Sequence, residues 1–244
     1  MDDFMAYISA MHGRPIRKKA FDQQMRAQLA ANKTFIENAA VAHSSIKQFN
    51  IDSFGRSLCF VAPHWGNYAA SFVQCAFALP DGDQFLAFRG NQWGSDEDAF
   101  WQRVNGLSRR HVDVYHTDKD RNVLPLLRRM REGAHLFALY DLFGEFGNTE
   151  QLKLFDNELA VAFGWARLCY LSDAVVVSIA PVSEHRGQVE VLDVLDPRQF
   201  PDSTAFLDRC RRTCGRSLEL LLAEQPAFWF MWEHLEKYVV KGAQ

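Results

Sequence analysis

The sequence predicts an α/β fold: a single domain with a mixed, mainly parallel sheet flanked by helices, preceded by a helical N-terminal extension. Three observations predict it. From residue 57 onward, short apolar runs suited to buried strands alternate with stretches of helical periodicity. No composition break divides the 244 residues, a length that one α/β domain commonly reaches. Hydrophobic residues at 48% and charged residues at 23% are the balance of a globular protein, which excludes disorder, collagen-like repeats and a coiled coil as the main architecture.

Residues 1–50 form the expected extension. Phe4, Tyr7, Ile8 and Met11 recur at helical spacing, and a second, polar helix runs from about Lys18 toward Asn50. Arg14, Arg17, Lys18 and Lys19 cluster there, as a solvated helix start or a docking patch for an anionic lipid surface or acidic partner. The α/β domain is expected over residues 51–244. Leu58-Cys59-Phe60-Val61 suits a buried strand and Tyr68 to Leu79 the helix after it. Gln84 to Phe88 reads as a strand, Glu97 to Arg110 as a helix, Val112 to Tyr115 as a strand and Lys119 to Glu132 as a helix. A strand at His135 to Tyr140 leads into residues 141–157, whose Gly and Asn without clear periodicity predict a long functional loop. A helix over Glu158 to Leu171, strands at Ala174–Val182 and Gln188–Asp193, and a helix from Ser203 to Glu224 complete the pattern before a last apolar stretch, PAFWFMWEHLEKY.

Charge and cysteine usage narrow the function classes. Thirty acidic residues against 27 Lys and Arg leave a net charge of −3, without the basic excess that nucleic-acid binding calls for. Five cysteines without a compact spacing, three of them in apolar segments, suit buried thiols in a reducing compartment. Cys210 and Cys214 lie one helical turn apart without a second ligand pair, and His111, Asp113 and His116 do not share one face of their strand, so no metal is expected. Acids precede the first apolar stretch and basic residues follow it, the reverse of a signal peptide. The charge-free run from Ser57 to Pro80 is interrupted by Pro63, His64, Gly66 and Asn67, leaving too short a piece to cross a bilayer. A cytoplasmic protein is expected, with at most peripheral contact at the inner membrane.

The chemistry rests on one turn. In Phe60-Val61-Ala62-Pro63-His64-Trp65-Gly66-Asn67-Tyr68, a buried strand runs into a turn that carries His64 beside the start of an apolar helix. An imidazole so placed is suited to deprotonate an alcohol or amine as it attacks an acyl group. Nucleophile-elbow, Walker A, dinucleotide-binding and H-E-x-x-H signatures are all absent from the sequence. Twenty Phe, six Trp and six Tyr supply rings for a core or for an acyl channel; Trp65, Trp93, Trp101, Phe143, Phe146, Trp229 and Trp232 are the candidates to wall one.

His64-Trp65-Gly66-Asn67-Tyr68 resembles the His-x-Gly-Asn-Trp-Glu segment of the bacterial lipid A late acyltransferases, a branch of the lysophospholipid/glycerolipid acyltransferase superfamily. Further blocks follow in the family's order. Phe88-Arg89 resembles its Tyr-Arg block, Leu124 to Gly133 its leucine-rich helix, and Leu139-Tyr140-Asp141 its strand ending in Asp. Leu154-Phe155-Asp156 is a loose echo of its Pro-Phe-Phe-Gly segment, and Pro226 through Trp229 and Trp232 to His234 resembles its closing stretch. The resemblance spans residues 55–238. It implies transfer of an acyl group from a thioester donor, acyl carrier protein or acyl-coenzyme A, to a hydroxyl or amine acceptor, with His64 as general base and no cofactor beyond the donor. It further implies that backbone N–H groups near Gly66 stabilise the oxyanion and that Arg89 holds the acceptor or a phosphate.

Two departures shape the expectation. The family's apolar membrane anchor is not found in the sequence, which favours a small-molecule or carrier-bound acceptor, as in specialised metabolite assembly. The family's His-x4-Asp/Glu acid is also missing, because Ala69 stands in its place. Asn67, Asp141 and Glu145 are the candidates to orient His64 instead, with Asp141 ahead of Glu145 because it sits at a strand end facing the site. The alternative readings are a catalytically silent module that binds acyl groups or carrier protein, and a thioester hydrolase.

Overall fold

The computed structural model describes residues 18–37, 55–80, 82–89, 102, 111–116, 122–144, 148–181 and 189–238. Six strands form one sheet in the order β3-β2-β4-β1-β7-β8: β1 (Leu58–Ala62), β2 (Gln84–Arg89), β3 (His111–His116), β4 (His135–Leu139), β7 (Val175–Pro181) and β8 (Val189–Leu195). All neighbours pair in parallel except β8, which runs antiparallel to β7 at the edge. The central strands β1 and β7 are apolar runs buried along their whole length, as strands covered on both faces must be.

Alternation along the strands divides the interior in two. Leu58, Phe60 and Ala62 of β1, with Val175, Val177 and Ile179 of β7, pack under helix α2 (Tyr68–Ala78) through Phe72, Val73 and Ala76. Cys59, Val61, Leu136 and Ala138 face the opposite layer. There they meet α3 (Leu124–Arg131), α4 (Gly164–Ser172) and α5 (Ser203–Glu224) through residues such as Leu126, Met130, Ala166, Leu168, Phe206 and Leu218. The chain leaves β1 toward one face and leaves β4 toward the other. The carboxyl ends of these adjacent strands therefore flank a topological switch point, where open α/β sheets place their ligands. Helix α1 (Lys18–Glu37) packs across α2 and the closing segment, burying Phe21 and Met25, with Phe21 edge-on to Trp232 at 5.8 Å.

The structure corrects the reading of residues 141–171. In place of one long loop followed by a helix from Glu158, β5 (Thr149–Leu154) and β6 (Asn157–Ala162) form an antiparallel hairpin, and α4 begins only at Gly164. Leu152 and Leu154 turn inward while Gln151 and Lys153 stay exposed, a half-buried strand pattern. Phe155 at the hairpin turn has φ of 54°, a conformation usually taken by Gly or Asn, so the sequence carries no conventional turn signal there. α5 crosses β5 closely: a Cβ on Gly215 would lie 2.5 Å from the carbonyl oxygen of Lys153. The last apolar stretch becomes two 3₁₀ helices, Pro226–Phe228 and Phe230–Lys237. The expected helix over Glu97 to Arg110 and most of the helical extension lie outside the described residues.

Candidate active site

β1 ends at Ala62, and the chain turns over residues 63–67 before α2 begins. Gly66 has φ of 57°, a left-handed position that Gly takes without cost, and the side chain of Pro181 lies 3.4 Å from where a Cβ would stand. Asn67 is the N-cap of α2, its Oδ1 accepting the Ala70 N–H at 3.0 Å. That oxygen serves the start of the helix, and the side chain that meets the His64 ring nitrogen is Asp141.

A carboxylate reaches His64 from the segment just past β4. The Tyr140 N–H donates to Ala62 O at 3.0 Å, extending the β1–β4 ladder by one rung. At the next rung the Asp141 side chain takes over. Its Oδ2 accepts the His64 backbone N–H at 2.8 Å, and its Oδ1 lies 2.7 Å from His64 Nδ1. Asp141 has no exposed surface, and the His64 side chain retains 8%. Trp229 donates its indole N–H to Oδ2 at 2.7 Å, and the Tyr238 hydroxyl donates to the Asp141 carbonyl. With Oδ2 accepting two N–H groups, the geometry assigns the remaining donor to Nδ1 and leaves the lone pair on Nε2. Among the described residues Nε2 has no hydrogen-bond partner.

The closing segment is built onto this turn. Phe230 N–H donates to His64 O and Gly66 N–H to Phe228 O, both at 2.9 Å, flanking an antiparallel bridge between Trp65 and Trp229. The Gly66 N–H is engaged in this pairing. Trp65 is 1% exposed, tilted against Phe228 and donating from Nε1 to Gln225 O at 3.1 Å. Trp65 packs as part of the core. The ring beside the imidazole is Tyr68, edge-on at 5.0 Å, which meets Phe230 at 5.6 Å. Burial, then the Asp141 charge, pushes the Tyr238 phenol well above its usual range and preserves it as a donor.

Arg89 closes β2, whose neighbour is β4, so its backbone stands at the same carboxyl edge as Asp141; its side chain is not among those described. Glu145 and Trp93 lie outside the described residues. Ala69, at the family's acid position, is buried in the first turn of α2. Asp113 pairs with Arg129, and all five cysteines are buried free thiols. Among the described residues no group of three His, Cys, Asp or Glu is arranged to hold a metal ion.

Sequence reasoning noticed Trp229 as an aromatic but missed it, and Tyr238, as donors to the acid. The available signal was general: a buried indole or phenol needs a hydrogen-bond partner. No family model matches the chain, and no curated protein matches it significantly.

Proposed function

We propose that this protein is an acyltransferase of the glycerolipid acyltransferase type, moving an acyl group from a thioester donor to a hydroxyl or amine acceptor. The observation that carries this reading is the carboxylate of Asp141 on Nδ1 of His64 at the switch point of a mainly parallel sheet. The ordered blocks of resemblance over residues 55–238 supply the choice of acyl transfer among the reactions a His–Asp pair serves.

Nε2 of His64 accepts the acceptor's proton as its oxygen or nitrogen attacks the thioester carbonyl. Asp141 fixes the tautomer and stabilises the imidazolium that forms. The tetrahedral adduct collapses with cleavage of the C–S bond, and His64 returns the proton to the leaving thiolate, so no acyl-enzyme is formed. In serine proteases, changing the corresponding carboxylate to an amide costs about 10⁴ in rate, equivalent to roughly 5 kcal/mol of barrier. A buried, fully bonded Asp141 supplies that function without the acid missing at Ala69.

The donor is acyl carrier protein or acyl-coenzyme A, and the acceptor is a small or carrier-bound molecule. Cytoplasmic placement with at most peripheral membrane contact fits this reading; among the described residues no helix is long and apolar enough to cross a membrane. The test is thiol release from lauroyl-coenzyme A and lauroyl-acyl carrier protein with a panel of lysolipid, alcohol and amine acceptors. Acceptor-dependent release with formation of ester or amide is expected. Release at one rate whatever the acceptor would identify a hydrolase, and donor binding without turnover an acyl-binding module.

A further inference from the structure

Asp141 is held by a residue 88 positions further along the chain, Trp229, whose indole N–H donates to Oδ2 at 2.7 Å. An indole N–H is a donor only, so the Asp141 oxygen facing Trp229 must be an acceptor. That oxygen, Oδ2, also accepts the His64 backbone N–H. Two donors on Oδ2 lock the carboxyl plane and aim Oδ1 at Nδ1 of His64. The indole is itself fixed. Trp229 has no exposed surface, stands edge-on to Trp232 at 4.8 Å and lies tilted against Tyr238 at 6.2 Å. Its backbone is bridged to Trp65, the residue after His64.

We propose that Trp229 is a positioning residue that selects the Nδ1–H tautomer of His64 by orienting Asp141. Its effect on turnover rests on the reading of His64 as the general base; its effect on the tautomer does not. Trp229→Phe keeps an aromatic ring and removes the one N–H. Oδ2 then keeps a single donor, the carboxyl group gains freedom to rotate, and neutral His64 gains access to the Nε2–H tautomer, whose Nε2 cannot accept a proton.

The experiment is ¹⁵N NMR of the His64 ring in the full chain without substrate, beside the kinetics of thiol release from lauroyl-coenzyme A. In the wild type, neutral His64 is expected as the Nδ1–H tautomer alone, with a strongly downfield Hδ1 proton. In Trp229→Phe the downfield proton is lost, the Nε2–H form becomes a substantial fraction, and kcat falls at least about tenfold with KM nearly unchanged, the pattern of an interaction that acts on the chemical step. A folded Trp229→Phe protein that keeps one tautomer and its downfield proton would overturn the proposal. Should that variant not fold, Asp141→Asn supplies a second reading with Trp229 intact: the Trp229 indole proton moves upfield as its acceptor loses charge, and an unmoved signal overturns the proposal. A shifted tautomer in a protein with no transferase activity would refute the enzymatic reading while leaving the positioning role in place.

Discussion

Oδ1 of Asp141 lies 2.7 Å from Nδ1 of His64, although 77 residues separate the two in sequence. The contact joins the carboxyl ends of two adjacent parallel strands. Ala69, in the helix that follows His64, is buried. Among the described residues one carboxylate meets the His64 ring, and it stands just past the end of β4.

This arrangement makes His64 part of the fold as well as of the proposed chemistry. His64→Ala should abolish acyl transfer and also lower stability by about 1–3 kcal/mol, because it leaves the buried Asp141 oxygen without its partner. Denaturant unfolding beside a transfer assay checks both. A folded variant with full activity would exclude the general-base role.

Ala69→Glu places an acid five residues after His64, the spacing of the pattern that the turn resembles, and should not raise acyl transfer. The first turn of α2 is buried at Ala69, and the imidazole nitrogen that an acid would orient is already taken. The new carboxylate is a charge placed in a buried helical turn. Its expected cost is about 3 kcal/mol or more, seen as a lower Tm with no gain in turnover.

Much of this could be read from the residues alone. The strands β1, β4 and β7 are legible because apolar runs buried on both faces leave no ambiguity of period, and the turn at His64 is marked by Pro63, Gly66 and the capping Asn67. Asp141 is legible as the residue just past a strand. The hairpin of β5 and β6 was not, since Phe155 holds a left-handed conformation where a Gly would have announced a turn. Nor was the role of Trp229. Its contact with Asp141 depends on how the closing 3₁₀ segments pair with the turn after β1, and no local periodicity encodes that.

The second buried histidine of the described core predicts an acid sensitivity unrelated to catalysis. At the start of β4, His135 Nδ1 accepts the Leu58 N–H at 3.1 Å, which requires the neutral ring, while Nε2 faces Asp83 at 3.1 Å. Burial lowers its pKa below the ordinary value, and the Asp83 hydrogen bond and charge oppose that shift only in part. The unfolded chain therefore binds the proton more readily than the folded one, so stability rises with pH through this window. On acidification, stability should begin to fall near about pH 6.5, the unperturbed value, and go on falling until the folded ring protonates. Urea unfolding across this range checks it: His135→Gln should flatten the slope, and an unchanged slope would show that other groups carry it.

The most direct test of the central claim is kcat for acyl transfer by Asp141→Asn. The amide oxygen can still accept the Trp229 and His64 N–H groups, but its NH₂ then faces Nδ1 and imposes the wrong tautomer while the fold is kept. A fall of about 10³–10⁴ in kcat, in line with the cost of the same change in a serine-protease triad, is the predicted result. A folded Asp141→Asn protein turning over within about threefold of wild type, less than 1 kcal/mol of barrier, would contradict the account.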